Sequence, residues 1–419
     1  MNNFYEDREA RSPAEREADL MARLPQQIAH AQQHSSAFAA ILQGVDAASI
    51  SSRKALAALP VTRKYELLER QHAERSKASG SGVFGGFNAV PFGRAMPRMF
   101  ASPGPIYEPE GQRPDYWRMA RAIYAAGFRA GELVHNSFSY HFVPAGSMME
   151  SGAQAVGATV FPAGTGQTEQ QVQAMTDLKP DGYIGTPSFL KIILEKAEAQ
   201  GSKISSVTKA LVSGEACPPS LRDWFASHGV AAYQCYATAD LGLIAYETSA
   251  REGLVLDEDV IVEIVRPGTG DPVPEGEVGE LVVTTLNPDY PLIRFGTGDL
   301  SAVLPGTCPT GRTNTRIKGW MGRADQTTKV RGMFVHPGQV AEVVKRFPQV
   351  EKARLVVSGA MANDQMTLQV ETRELGVGLA EQIADAVREV TKLRAEVALL
   401  MPGELPNDGK VIEDARSYA

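Results

Sequence analysis

The 419-residue sequence predicts an α/β protein. A large N-terminal domain of mostly parallel sheets covered by helices carries an antiparallel β subdomain, and a small α+β C-terminal domain follows a joint. Three observations point there. Between residues 115 and 235 short apolar runs alternate with helical patterns, which requires crossover connections and a parallel sheet buried on both faces. Between 254 and 304 apolar and polar residues alternate between turn signals, as in antiparallel strands. After Gly322-Arg323-Ala324-Asp325 the pattern restarts as a unit of its own, placing the domains at 1–324 and 325–419.

The elements follow in order. Leu20, Leu24 and Ile28 recur at helical spacing within 13–42, and Pro25 is expected to divide that stretch or open a second helix. A short helix from 51, a break at Pro60 and a second helix begun at Thr62 come next. Residues 76–94 are a Gly/Ser-rich loop. A strand at 96–101 feeds the turn Ser102-Pro103-Gly104-Pro105. Helices are expected at 115–126, 144–156, 168–178 (capped by Thr168), 187–200 and 219–227. Strands are expected from 133, at 159–161, 183–185, 209–212 and 231–235. In such a sheet ligands gather at the carboxyl ends of the strands. The antiparallel region turns at Pro267-Gly268, Glu275-Gly276 and Asn287-Pro288. Beyond the joint come a helix at 340–347, strands at 353–358 and 366–371, a helix at 379–391 and a strand at 396–400.

Composition narrows the function. Apolar residues make up 43% and charged residues 22%, an ordinary globular balance. The 42 Lys and Arg against 49 Asp and Glu give a net charge of −7, which argues against nucleic acid as the main partner. No apolar run reaches the roughly 18 residues of a membrane span, and the polar amino terminus lacks a signal-peptide pattern. Cys217, Cys235 and Cys308 fit neither a disulfide framework nor a complete metal site, so the reducing cytoplasm is the expected location.

Two stretches carry chemistry. In Arg294-Phe295-Gly296-Thr297-Gly298-Asp299 a lone carboxylate follows two glycines and can accept two hydrogen bonds at once, as a ribose diol requires. In Tyr236-Ala237-Thr238-Ala239-Asp240 a carboxylate follows a strand directly. It can bind a hard cation such as Mg2+, or simply cap a helix starting at Leu241.

These motifs, with Gly322-Arg323-Ala324-Asp325 and Leu405-Pro406-Asn407-Asp408-Gly409-Lys410 after them, resemble those of the adenylate-forming enzymes, the acyl-CoA synthetase superfamily. The stretches LAALPVTRKYELLE, LVHNSFSYHF and GTGQTEQQVQ resemble its phenylacetate–CoA ligase branch. The resemblance implies a two-step reaction using ATP, Mg2+ and coenzyme A. A small-molecule carboxylic acid, aryl in character such as phenylacetate, becomes an acyl-adenylate, and a thiol then displaces AMP. It also implies roles. Ser213, Gly214, Glu215, Ala216, Tyr236, Ala237 and Thr238 would receive the nucleotide, Asp299 its ribose and Arg323 its phosphates. Asp240 would hold Mg2+, Lys410 would act at the adenylation centre, and Asp325 would be the hinge. Arg331 and Gly332 would face the CoA tunnel, and Phe138, Tyr140, Gly164 and Gly214 the acyl pocket, with core packing the alternative for the aromatics. A homodimer is common among such enzymes.

Two departures stand out. The family's phosphate loop is Ser/Thr/Gly-rich and ends in lysine, whereas here Pro103 and Pro105 lack N–H donors and Glu108 stands near the lysine position. The family's zinc knuckle appears only as Cys308-Pro309-Thr310-Gly311-Arg312-Thr313, with Thr310 in place of a cysteine, so no structural zinc is expected. The first departure leaves open a non-catalytic nucleotide or acyl-adenylate binding homologue. An enzyme loading a carrier-protein thiol is a further alternative.

Overall fold

The computed structural model describes residues 3–76, 82–266, 269–321, 323–324, 326, 328–331, 333–335, 337–359, 364–374, 376–406 and 410–416, with only the backbone of 334, 337, 338 and 377. The expected hinge residue Asp325, Gly332, Gly409 and the 267–268 turn lie outside the described residues. The chain forms two compact units, Met1–Gly322 and Arg323–Ala419.

The first unit opens with helices α1 (Pro13–His34), α2 (Ser36–Ile41) and α3 (Arg53–Ala57), strand β1 (Thr62–Arg63) and helix α4 (Lys64–Arg75). Pro25 does not divide α1. Leu20, Leu24, Ile28 and Ala31 are all buried on one face. At ~2 kcal/mol for each large apolar side chain, that burial outweighs the roughly 3 kcal/mol a mid-helix proline costs. Thr62 begins a strand and not a helix: its N–H donates to the Arg294 carbonyl at 2.9 Å, and it pairs in parallel with Phe295. Residues 13–34 are also tied to the 257–259 turn. Arg16 reaches Glu258 at 2.9 Å and Arg23 reaches Asp259 at 2.9 Å.

A hairpin of β2 (Arg98–Ser102) and β3 (Ile106–Glu110) leads to α5 (Ala120–Ala125). This helix starts later than expected because the Asp115 carboxylate, at φ 45°, accepts the N–H groups of Met119 and Ala120. Then follow β4 (Leu133–Asn136), α6 (Ala145–Val156), β5 (Thr159–Pro162), α7 (Thr168–Leu178), β6 (Gly182–Gly185), α8 (Pro187–Ala199), β7 (Lys209–Val212), α9 (Pro219–Ser227) and β8 (Ala231–Thr238). Thr168 is the first residue of α7 and not its cap; Gln167, in the left-handed region, precedes it without a side-chain cap bond.

Strands β9 (Gly242–Glu247), β10 (Leu254–Leu256), β11 (Val260–Val265), β12 (Gly279–Thr285), β13 (Phe295–Ser301), β14 (Val303–Leu304) and β15 (Arg316–Ile317) complete the unit. One sheet has the order β14-β15-β10-β9-β8-β7-β6-β4-β5, and β5 to β8 and β4 are its parallel part. Right-handed crossovers put α6 on one face and α7, α8 and α9 on the other, because the strand order reverses at β4. The reversal opens a crevice at the carboxyl ends of β4 and β6. A second sheet, β1-β13-β12-β11, is the antiparallel subdomain with β1 added in parallel.

The second unit pairs β16 (Thr328–Val330) with β17 (Met333–Val335). It then adds α10 (Pro337–Lys345), β18 (Val350–Ser358), β19 (Gln365–Thr372), α11 (Val377–Thr391), β20 (Glu396–Leu400) and β21 (Ile412–Asp414). The sheet order is β20-β19-β18-β21. Val343, Leu355, Leu368, Ile383 and Val387 form its core.

Candidate active site

Two bulges meet at the centre of the first unit. On β12 a single residue, Leu281, stands opposite Thr297, Gly298 and Asp299, so the Thr-Gly-Asp motif is itself a bulge. Gly298 takes φ 73°, which glycine adopts without strain, and its N–H donates to Glu280. The extra residues turn the Asp299 side chain out of the ladder, a common use of bulges beside active sites. The other bulge is at Tyr236/Ala237, where β8 changes from parallel pairing with β7 to antiparallel pairing with β9. The Tyr236 hydroxyl donates to Asp299 Oδ2 at 2.7 Å, joining the two bulges and the two sheets.

Asp240 follows two residues after β8. No helix starts at Leu241; the chain turns straight into β9, and Thr238 Oγ1 accepts the Leu241 N–H. The Asp240 side chain is buried, with Oδ2 3.1 Å from Lys64 Nζ and Oδ1 without a hydrogen-bond partner among the described residues. Lys64 is the first residue of α4 and reaches this point because β1 docks on β13. Glu108 lies in the same cluster, fully buried, accepting the N–H and hydroxyl of Ser102 across the β2–β3 hairpin. Burial first, and the nearby Asp240 carboxylate second, push its carboxyl up to about 8, against the opposing pull of Lys64. Glu108 is therefore mostly neutral at pH 7, so the expected charge reversal at the phosphate loop is largely muted.

The acyl and adenine candidates sit at the carboxyl ends of the parallel strands. Gly214, at φ 84°, lies beside Phe138 and Thr186; a Cβ there would meet them at 3.7 and 3.8 Å. The Tyr140 hydroxyl accepts from Asn136 Nδ2 at 2.8 Å, and Gly146 packs so close beneath the ring that any side chain would collide with it. Gly164 borders open space. Ser213 donates to the Cys235 carbonyl, and Glu215 accepts the Ser188 N–H at 2.7 Å near the start of α8. Ala216 is half-buried beside it, ahead of α9.

The family model described as AMP-binding enzyme matches residues 117–287, and that of the AMP-binding enzyme C-terminal domain matches 332–414. The phenylacetate–coenzyme A ligase of Thermus thermophilus is 32% identical over 317 residues, 69% of this chain and 71% of that protein. The chain belongs to the phenylacetate–CoA ligase family of AMP-binding enzymes. The Escherichia coli phenylacetate–coenzyme A ligase agrees, at 30% identity over 71% of this chain and 72% of its own length. A crystal structure of 2-hydroxyisobutyryl-CoA ligase in complex with 2-HIB-AMP and CoA superposes with a TM-score of 0.83 at 24% identity, covering 100% of this chain and 93% of that one. That likeness speaks to the fold.

Within this ligase, the sequence reading named Tyr236, Asp240 and Asp299; the structure pairs Tyr236 with Asp299 and sets Asp240 beside Lys64, and it adds three side chains that reading did not name as site residues. Lys64 was visible only as part of a motif, Glu108 only as a departure from one, and Trp320, whose Nε1–H donates to Asp299 Oδ1 at 3.1 Å, had no signal. Cys217 and Cys235 are buried thiols pushed up to about 11 and about 12 by desolvation, which keeps them protonated. Cys308 Sγ contacts Thr310 Oγ1 at 3.1 Å and Thr248 Oγ1 at 3.4 Å, and no cluster of three metal-binding side chains occurs among the described residues. In the second unit Lys410 is exposed and its carbonyl accepts from Arg354. Arg331 turns between β16 and β17, its backbone and guanidinium both bonded to Asp364. Arg323 is half-buried.

Proposed function

We propose that this AMP-forming acid–CoA ligase activates an aromatic acid of the phenylacetate type, with Asp299 receiving the ribose, Asp240 and Lys64 serving the phosphate side, and Lys410 the adenylation step. The observation that carries the reading is the Tyr236–Asp299 bond, because it fixes a carboxylate acceptor beside an aromatic ring at the carboxyl end of a parallel sheet. Phe138 against Gly214 supports the aryl preference, as an apolar wall beside a glycine leaves room for a flat ring. The relatives named for phenylacetate point the same way.

In this reading the chain works by position and charge. Tyr236 and Asp299 orient the nucleoside. Lys64 supplies the cation that the Pro103–Pro105 loop lacks, beside a Glu108 that burial keeps mostly neutral. Asp240 Oδ1, buried and unpartnered, fits a single protein carboxylate toward Mg2+, a cation that takes its remaining ligands from water and phosphate oxygens. When bound, Mg2+ supplies charge neutralisation on the phosphates. Lys410 offsets the negative charge that builds as the acid oxygen attacks the α-phosphorus, and Arg323 holds the phosphates. The thiol of CoA then displaces AMP, with Arg331 on its approach.

Pyrophosphate release from Mg2+-ATP with a panel of aryl and short acyl acids, with and without CoA, tests the reading. Release that requires an aryl acid, rises with CoA and falls at least ~100-fold in Lys410→Ala is the expected outcome. Release with short acyl acids alone would move the substrate class. No release with any acid, while AMP still binds, would leave a nucleotide-binding protein.

A further inference from the structure

Both oxygens of Asp299 are already occupied by protein donors. Tyr236 Oη donates to Oδ2 at 2.7 Å, and Trp320 Nε1 donates to Oδ1 at 3.1 Å. A ribose diol offers the same pattern, one hydroxyl hydrogen to each oxygen. Asp299 is only 7% exposed, so little of the carboxylate is open to a third donor, whereas Trp320 is 42% exposed. The indole is thus the movable part of the cover. Its backbone is not: the Met321 N–H donates to the Leu300 carbonyl, and Ser301 Oγ donates to the Gly319 carbonyl. The stretch 319–321 is laced to the end of β13, and the indole leaves by rotation of its side chain, a motion exposed rotamers make readily.

We propose that Trp320 is a ribose gate: its indole N–H holds the Asp299 carboxylate in place of one ribose hydroxyl and must be displaced for the ribose diol to reach that carboxylate. This rests on Asp299 as the ribose acceptor. Tyr236 and Trp320 keep a buried carboxylate hydrogen-bonded, avoiding the cost of a bare buried charge. In the loaded site the nucleotide exchanges one hydrogen bond for another, so the ribose contact adds orientation with little net affinity. Weak net affinity suits an enzyme that must release AMP in every cycle. It also makes the hydroxyls a requirement, because a nucleotide without them gains nothing by displacing the indole.

The test compares AMP with 2′,3′-dideoxyadenosine monophosphate on the wild type, Trp320→Phe, Trp320→Leu and Asp299→Asn, by calorimetry and tryptophan emission. Both Trp320 variants lack the competing N–H, and both are expected to bind AMP about 5- to 10-fold tighter, with the dideoxy nucleotide unchanged. AMP, and not the dideoxy nucleotide, should shift the emission of the wild type, and Trp320→Phe should lose that shift. Unchanged or weaker AMP binding in folded Trp320→Phe and Trp320→Leu, beside weaker binding in Asp299→Asn, overturns the gate and keeps the ribose assignment. AMP binding unaffected by Asp299→Asn overturns the ribose assignment, and the gate with it.

Discussion

Glu108 gives the plainest single-residue consequence. Its carboxyl is raised from the ordinary range to about 8 by burial and by Asp240. Between roughly pH 4.5 and pH 8 the folded protein therefore binds a proton that the unfolded chain has lost, and stability falls as pH rises through that window. The slope from this group approaches about 1.4 kcal/mol per pH unit at its steepest. Glu108→Gln, which mimics the protonated form, should flatten the urea-midpoint profile between pH 6 and pH 8.5 and be more stable than the wild type at the alkaline end. The opposite profile, with the variant less stable at pH 8.5, would show that the ionised form is the one the fold prefers. Asp259 has the reverse sign. Burial raises it, but Arg8, Arg121 and Arg23 outweigh burial and hold it well below the usual carboxylate range. Its contribution is complete above about pH 4 and is lost as pH falls. Asp259→Asn should cost ~2 kcal/mol at pH 7 by removing the carboxylate those three guanidinium groups share, each keeping a second acidic partner in Glu6, Asp19 or Asp257, and chemical denaturation should find the two proteins converging below pH 3.

At the scale of elements, α1 carries a proline through its middle without a break. Its buried face holds the helix in spite of a missing N–H, so Pro25→Ala should raise the unfolding free energy read from urea denaturation by ~1–3 kcal/mol; a drop would mean that the ring packs better than a methyl. The parallel strands, their helices and the small second unit were legible because apolar runs, turn residues and periodicity are local signals. So was the Thr-Gly-Asp motif, although not that it is a bulge: a bulge depends on how many residues the partner strand offers, and Leu281 is remote in sequence. Thr62 misled for a similar reason. By its neighbours it looks like the start of a helix, and it becomes a strand only because Arg294 and Phe295 present an open edge. Lys64 beside Asp240 and Trp320 on Asp299 are contacts between distant segments, which no pattern in a single chain announces.

On the scale of the whole molecule, each unit keeps a core of its own. Within the first unit the site is assembled from β1 and α4, the β2–β3 hairpin, the turn after β8, and β13. That assembly depends on one short parallel pairing, Thr62 with Phe295 and Arg63 with Gly296, between segments far apart in the chain. Closing so long a loop is slow relative to forming local helices. During synthesis, Lys64 leaves the ribosome long before the strand that will orient it exists. An interrupted translation product ending before residue 295 would carry most of the large sheet but no anchored lysine and no Asp299. Such fragments would lack the Tyr236–Asp299 bond, so the candidate site takes shape only when the large unit is nearly complete.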